Sequence, residues 1–281
     1  MDEILKSFRS LVKSSNRIIK LLNKHYKIRS EPVDNAYILE KNLRMIEKHL
    51  PELGAKELVK DLAEWLVEER KNIDGFKEEF RIKFGQELSA LFAHTGKKIR
   101  GQYPVLRVGL YTLKIDFQFG SVALFFGPEV EKIKSNIPLQ SATVFETVKR
   151  FDENLQTHKM TVTEIYETLH QAYKRRLVLT GQSFGEKLLI VKVLNEFVLL
   201  RQSKKFLIDP QKSNFREYPR VILSYLMYFL KKSEFFEKNI RLYVATFDAT
   251  VDKMNALWIP ENDEGEGTHY SHISFEKIQN T

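Results

Sequence analysis

Near Gln102 the apolar residues of this chain change their spacing, from every third or fourth position to every second. A period near 3.6 lines apolar side chains along one stripe of a helix, and a period of two places them on one face of a strand. The change therefore marks a passage from helical to extended chain. Before it, Ile4, Leu5, Phe8, Leu11, Val12, Ile18, Ile19 and Leu22 recur at helical spacing over about residues 2–24. A second helix is expected after Pro32 and Val33, with Asp34 as its cap, running through Ile38, Leu39, Leu43, Ile46 and Leu50 to a break at Pro51 and Gly54. A third starts near Ala55 and passes Leu58, Leu62, Trp65 and Leu66. A fourth runs from Ile73 through Phe76, Phe80, Phe84 and Leu88 to a stop near Thr95 and Gly96. Amphipathic helices with short joints predict an antiparallel bundle or a coiled-coil hairpin.

Beyond Gln102, residues 103–108, 111–117 and 121–126 alternate and are punctuated by Gly109, Gly120 and Gly127, the pattern of a three-stranded meander. Helices are expected again near 143–155, 162–176, 185–202 and 218–232, the second opened by Thr161 with Glu164 three residues on, a capping box. Extended segments return at 240–247, 256–259 and 270–275. The fold class is α+β: an N-terminal antiparallel helical bundle or coiled-coil hairpin over 1–98, then a mixed domain over 99–281 with a mainly antiparallel sheet. Its strands, near 103–126 and 240–275, are expected to pair in one sheet with the intervening helices packed on it.

The composition narrows the chemistry. Hydrophobic residues make up 43% of the 281, enough to offset the ordering entropy of a packed domain. There is no cysteine, which excludes disulfide frameworks, thiolate zinc sites, iron–sulfur clusters and cysteine nucleophiles, and suits a reducing, cytoplasmic setting. Thr95-Gly96-Lys97-Lys98 has the ending of a phosphate-binding loop, but Leu91 stands where its first glycine is required. The sequence contains no dinucleotide fingerprint, nucleophile elbow or His-Glu-x-x-His, so no cofactor is expected. Residues 221–230, the most apolar stretch, are about half the length of a membrane-spanning helix. Charges interrupt residues 1–30 every three or four positions, unlike a secretory leader. No membrane partner is expected.

The net charge is +8, and most of it sits at one end. Within the first 30 residues Lys6, Arg9, Lys13, Arg17, Lys20, Lys24, Lys27 and Arg29 outnumber Asp2 and Glu3 by six. At about 100° per residue these bases and the apolar residues fall on nearly opposite sides, so the apolar side is expected to be bundle core. Regularly spaced Lys and Arg match the phosphates of a nucleic acid, whose counterions they displace. Lys174, Arg175, Arg176, Lys204 and Lys205, with Arg201 and Lys212 nearby, form a second candidate for phosphate contact. The helix over 185–202 is too apolar all round to read base edges.

Weaker patterns concern catalysis and metals. Asp116 in the second strand with Glu129 and Glu131 after the third approximates the carboxylates of a metal-dependent nuclease, although Glu129-Val130-Glu131-Lys132 lacks the acid-x-Lys pair. Asp263, Glu264, His269 and His272 concentrate metal-ligand types after the acidic run 261–267, although His-x-x-His in extended chain points its rings to opposite faces. The plainer expectation is a hairpin loop whose acids face solvent or a basic partner. His25, His49, His94, His158 and His170 have no paired spacing and read as surface or structural residues. Arg220 and Asp248, each beside an apolar stretch, predict an Arg–Asp bridge.

Together these features predict a non-catalytic accessory or adaptor subunit of an intracellular nucleic-acid-associated complex, DNA in the first instance, such as a DNA-processing or defence complex. Its helical arm would bind a helical or coiled-coil protein, and its basic surfaces the phosphate backbone. The alternatives are a metal-dependent phosphodiester hydrolase built on Asp116 with Glu129 or Glu131, and a pure protein–protein scaffold whose basic helix meets an acidic partner.

Overall fold

The structure is a computed structural model, and it describes residues 2–53 and 56–276. Contacts divide the chain into two compact units: residues 1–94 with 116–121 and 139–142, and residues 95–115, 122–138 and 143–281.

The first unit is built on α1 (Asp2–Ile28), α2 (Ala36–His49) and α3 (Lys56–Ala93). Leu39, Leu43 and Ile46 of α2 and Leu66 and Ile73 of α3 form one buried cluster, against which Leu21, Leu22 and Ile28 of α1 pack. Two of the expected helices are a single one. Residues 67–72 of α3 hold neither proline nor glycine, so nothing stops the helix between Leu66 and Ile73. Pro51 lies in a short 3-10 turn, Leu50–Glu52, whereas Gly54 and Ala55, at the expected break, lie outside the described residues. The turn at 116–121 belongs to this unit and stacks Phe117 on Tyr37, with ring centroids 5.4 Å apart.

The second unit contains two sheets. Strands β1 (Ile99–Gln102), β2 (Val105–Val108), β3 (Tyr111–Asp116), β4 (Ser121–Phe126) and β5 (Glu131–Pro138) make an antiparallel meander in sequence order. The alternation exposes only the three inner strands, because the outer β1 and β5 bury few side chains. On β5, Lys132 and Lys134 are exposed and Asn136 adopts φ 56°. Helices α4 (Ser141–Thr157) and α5 (Val162–Thr180) follow, then β6 (Leu188–Leu189), α6 (Ile190–Leu200), α7 (Lys204–Ile208), α8 (Arg220–Lys231), α9 (Glu234–Asn239), β7 (Ile240–Val244), α10 (Phe247–Val251), β8 (Leu257–Pro260) and β9 (Gly267–Phe275). The capping box forms at α5: the Thr161 side chain accepts from the Glu164 N–H, and the Glu164 carboxylate accepts from the Thr161 N–H at 2.8 Å.

The late strands make a second sheet rather than joining the meander. β9 takes β7 along residues 270–275 on one edge, and on the other takes β8 at 267–270 and β6 at 272–273, so the late strands satisfy one another. Trp258 of β8 connects the two sheets. It is buried, and the Phe126 ring at the end of β4 meets it edge-on at 5.4 Å. Gly127 and Gly267 lie against the indole so closely that a Cβ on either would come within 2.8 and 2.5 Å of it.

Candidate nucleic-acid and partner interface

Helix α1 has three faces, where the sequence reading gives it two. Ser14, Ile18 and His25 are buried against the rest of the first unit. Leu5, Phe8, Val12, Ile19 and Tyr26 lie about 120° round the helix and are 47–86% exposed. The bases Lys6, Arg9, Lys13, Lys20, Lys24 and Lys27 occupy the third face, also exposed. None of these six makes an ion pair among the described residues, whereas Arg17 reaches Glu52 at 3.7 Å and His49 at 3.4 Å. The expected placement of the apolar side in the bundle core is therefore corrected. The reason is length: α2 has 14 residues, about 21 Å, against the 27 residues and about 40 Å of α1. All of residues 2–13 are exposed.

At the other end of α1 a buried carboxylate gathers donors. Glu69 of α3 accepts from Arg29 at 2.5 and 3.0 Å, from His25 Nε2 at 3.0 Å and from Asn72 at 3.2 Å. Burial alone would raise its pKa, but the hydrogen bonds from Arg29, His25 and Asn72 outweigh it and hold the carboxyl at about 2. An ionised carboxylate only accepts, so Nε2 of His25 carries the hydrogen. Its Nδ1 is buried without a partner among the described residues. Trp65 stands edge-on to the imidazole at 5.3 Å, and a cavity of about 660 Å³ opens here, lined by Leu22, Tyr26, Trp65 and Glu68 among others. The sequence signal for His25 was present: with Ser14 and Ile18 it falls on one helical face.

The second basic group is split. Lys174, Arg175 and Arg176 lie in the last turns of α5, and Lys204 and Lys205 open α7. Arg201, just before α7, acts electrostatically on Glu164 at the start of α5, ten residues and about 15 Å along the helix from Lys174. Arg175 is engaged by Glu196 at 3.6 Å. Lys174, Lys204 and Lys205 are exposed, and none of the three makes an ion pair among the described residues. Helix α6 buries Ile190, Val191, Val193, Leu194 and Phe197, which removes it from base reading.

The residues considered for catalysis each have partners within the fold. Asp116 accepts from the Phe119 N–H at 3.0 Å and closes a turn. Glu129 pairs with Lys114 at 2.8 Å. Glu131 is held between Arg220 at 2.8 Å and Lys253 at 2.5 Å. Burial opposes its ionisation, but these two bases dominate and draw its pKa down. Arg220 also donates to the carbonyls of Lys253 at 2.8 Å and Ala256 at 2.7 Å. The expected Arg–Asp bridge is thus an Arg–Glu bridge, because Asp248 stands exposed on the short helix α10. Removing this guanidinium leaves Glu131 with Lys253 alone and takes the Arg220 donor from two carbonyls, so Arg220→Ala is expected to lower stability by about 1–3 kcal/mol, read by urea denaturation.

Three acids of the loop are paired with bases at the end of α8 and on β1. Glu261 pairs with Lys231, Asp263 accepts from Tyr228 at 2.7 Å and from Lys232 at 3.0 Å, and Glu264 pairs with Arg100. His272 Nδ1 lies 2.9 Å from Ser271 Oγ, and burial, with help from Arg220, pushes the His269 pKa down. Among the described residues no three His, Asp or Glu side chains gather to hold a metal ion. Lys97, from the segment that ends like a phosphate loop, is bonded to Asp152 in a cleft of about 580 Å³. Asp152 also accepts from the buried Tyr111 hydroxyl at 2.6 Å. No helix among the described residues is long and apolar enough to cross a membrane.

Comparison with known protein families, with curated proteins and with solved structures returns no match to this chain. The functional reading rests on the geometry.

Proposed function

We propose that this protein is a non-catalytic adaptor subunit of a nucleic-acid-associated assembly, in which α1 docks a helical partner by its apolar face and lies along a phosphate backbone by its basic face. The observation that carries this reading is the separation of the two free faces, about 120° apart, which lets one helix serve both ligands at once. Twelve consecutive exposed residues, 2–13, include Ile4, Leu5, Phe8, Leu11 and Val12. They continue a helix already nucleated by its packed half, so a partner would add burial to turns that the rest of the protein leaves bare. The hydrolase alternative finds less support, because Glu129 and Glu131 are each committed to ion pairs.

Fluorescence anisotropy of duplex and single-stranded DNA and of RNA, titrated at several salt concentrations, tests the phosphate contact. The triple variant Lys6→Glu/Lys13→Glu/Lys20→Glu is expected to lose affinity and to flatten the log–log salt slope on duplex DNA by about 0.9 for each phosphate contact removed. Parental binding by the variant, or no binding by the parent, would leave the basic face without this role and favour the scaffold alternative. DNA incubated with the protein and Mg²⁺ is expected to stay intact. Cleavage that disappears in Asp116→Ala would favour the hydrolase.

A further inference from the structure

The cavity beside Trp65 lies between α1 and α3 of the first unit, and at about 660 Å³ it has the size of a small-molecule site. The one guanidinium that lines it, Arg29, already gives two hydrogen bonds to Glu69. Two acceptors of the wall are not engaged. His25 turns its Nε2 hydrogen to Glu69, so in the neutral imidazole Nδ1 keeps a lone pair, and that atom is buried without a partner among the described residues. Glu68 is exposed and makes no ion pair among the described residues. Trp65 and Tyr26 add two aromatic rings. Beyond the wall the charge changes sign. Asn23, which lines the cavity, has Lys20 three residues before it and Lys27 four after, its neighbours on the helix surface. Both lysines are exposed and without ion pairs among the described residues.

The two signs of charge narrow the ligand. A simple anion would find the guanidinium of the wall taken and the Glu68 carboxylate against it. A simple cation would have to pass Lys20 and Lys27, which repel it. What suits both is a flat molecule with N–H donors on its inner edge and negative charge on its outer side. An unstacked base with its phosphate has that form, and aromatic side chains are the usual platform for such a base. The donors decide which base. Uracil and thymine hold a single N–H between two carbonyls, whose lone pairs would face the acceptors of the wall. Guanine sets N1–H beside its amino group and offers the most donors on one edge. We propose that this cavity binds an unpaired guanine nucleotide, its N1–H and amino group turned to Glu68 and His25, its ring on Trp65 and Tyr26, and its phosphate at Lys20 and Lys27. This inference rests on the adaptor reading and specifies what its nucleic-acid side would recognise.

The probes are an all-thymine DNA oligomer, the same oligomer with one central guanine, and guanosine monophosphate, each titrated against the full protein. By anisotropy the guanine oligomer is expected to bind about tenfold more tightly than the other, the effect of one stacked and hydrogen-bonded base. Tyr26→Ala/Glu68→Gln changes two exposed residues and is expected to bring the two affinities within about twofold, with the all-thymine affinity, which the lysines carry, unchanged. Competition identifies the source of the nucleotide. Displacement of the guanine oligomer by an equal concentration of guanosine monophosphate assigns the cavity to a free nucleotide, and displacement only in large excess assigns it to a base within a strand. The proposal is overturned by equal binding of the two oligomers to the parent, or by a guanine preference that survives in Tyr26→Ala/Glu68→Gln. If the oligomers bind equally while Lys6→Glu/Lys13→Glu/Lys20→Glu still loses affinity, this inference falls and the nucleic-acid side of the adaptor stands. If no oligomer binds but guanosine monophosphate quenches a tryptophan signal that Trp65→Phe lacks, the cavity keeps its ligand and the adaptor reading falls. If nothing binds, both fall.

Discussion

Glu69→Ala is expected to destabilise the protein by about 3–5 kcal/mol, the usual cost of removing one partner from a buried ionic cluster. The carboxylate is buried and holds Arg29, His25 and Asn72 together at the contact of α1 with α3. Without it the Arg29 guanidinium loses a bidentate acceptor and His25 loses the one hydrogen-bond partner that its imidazole has among the described residues. The same cluster sets an acid limit. The folded carboxyl sits at about 2 and the unfolded one near 4.5. Between those values the unfolded chain binds a proton that the folded chain refuses, so stability falls as pH drops through that window and is complete above it. The difference corresponds to about 3 kcal/mol at neutral pH. Guanidinium titrations from pH 7 to pH 3, followed by circular dichroism, should show this loss in the parent and a flatter profile in Glu69→Ala. A variant within about 0.5 kcal/mol of the parent would mean that the cluster does not hold the helices together.

The second large effect is expected at Gly267. A methyl there would lie 2.5 Å from two carbons of the Trp258 indole and 2.6 Å from the Ile259 carbonyl oxygen. Neither obstacle is the end of a flexible chain, so Gly267→Ala should cost about 3 kcal/mol through overpacking. At Gly127 a Cβ would meet three indole carbons within 2.9 Å, and the backbone φ of +68° adds a further penalty of about 1 kcal/mol for any L side chain. Trp258→Leu removes the ring and opens a cavity, so it destabilises on its own. In combination the two changes relieve each other: Gly267→Ala in the Trp258→Leu background should cost at least 1 kcal/mol less than in the parent. Strict additivity of the two costs would show that the indole is not what excludes a side chain at Gly267.

The sequence made some of this legible for identifiable reasons. Thr161 and Glu164 announce the start of α5 because a capping box is a local device, complete within four residues. The inner strands of the meander are readable because each is covered on one face, and alternation records covering. β1 and β5 are not covered, and so left no alternation to find. The same limit explains α1. Periodicity shows that Leu5, Phe8 and Val12 share a face, but not that α2 is too short to reach them. The partner of Arg220 lies 89 positions away at Glu131, a pairing fixed by how strands and helices assemble rather than by any neighbour in sequence. The bases of α1 were found by counting. That they stand apart from the exposed Leu5, Phe8, Val12 and Ile19 became visible only when burial divided the helix into three faces.

The outer strand β5 has a bearing on how this protein behaves at high concentration. An unpaired strand edge is a template on which further strands can add, the more so at high concentration. Here the edge is blunted in three ways: Lys132 and Lys134 place charge on it, Asn136 with φ 56° breaks its extended line, and Pro138 offers no N–H at its end. This edge of the meander therefore resists growing into a fibre, and self-association through β5 is disfavoured even at high concentration.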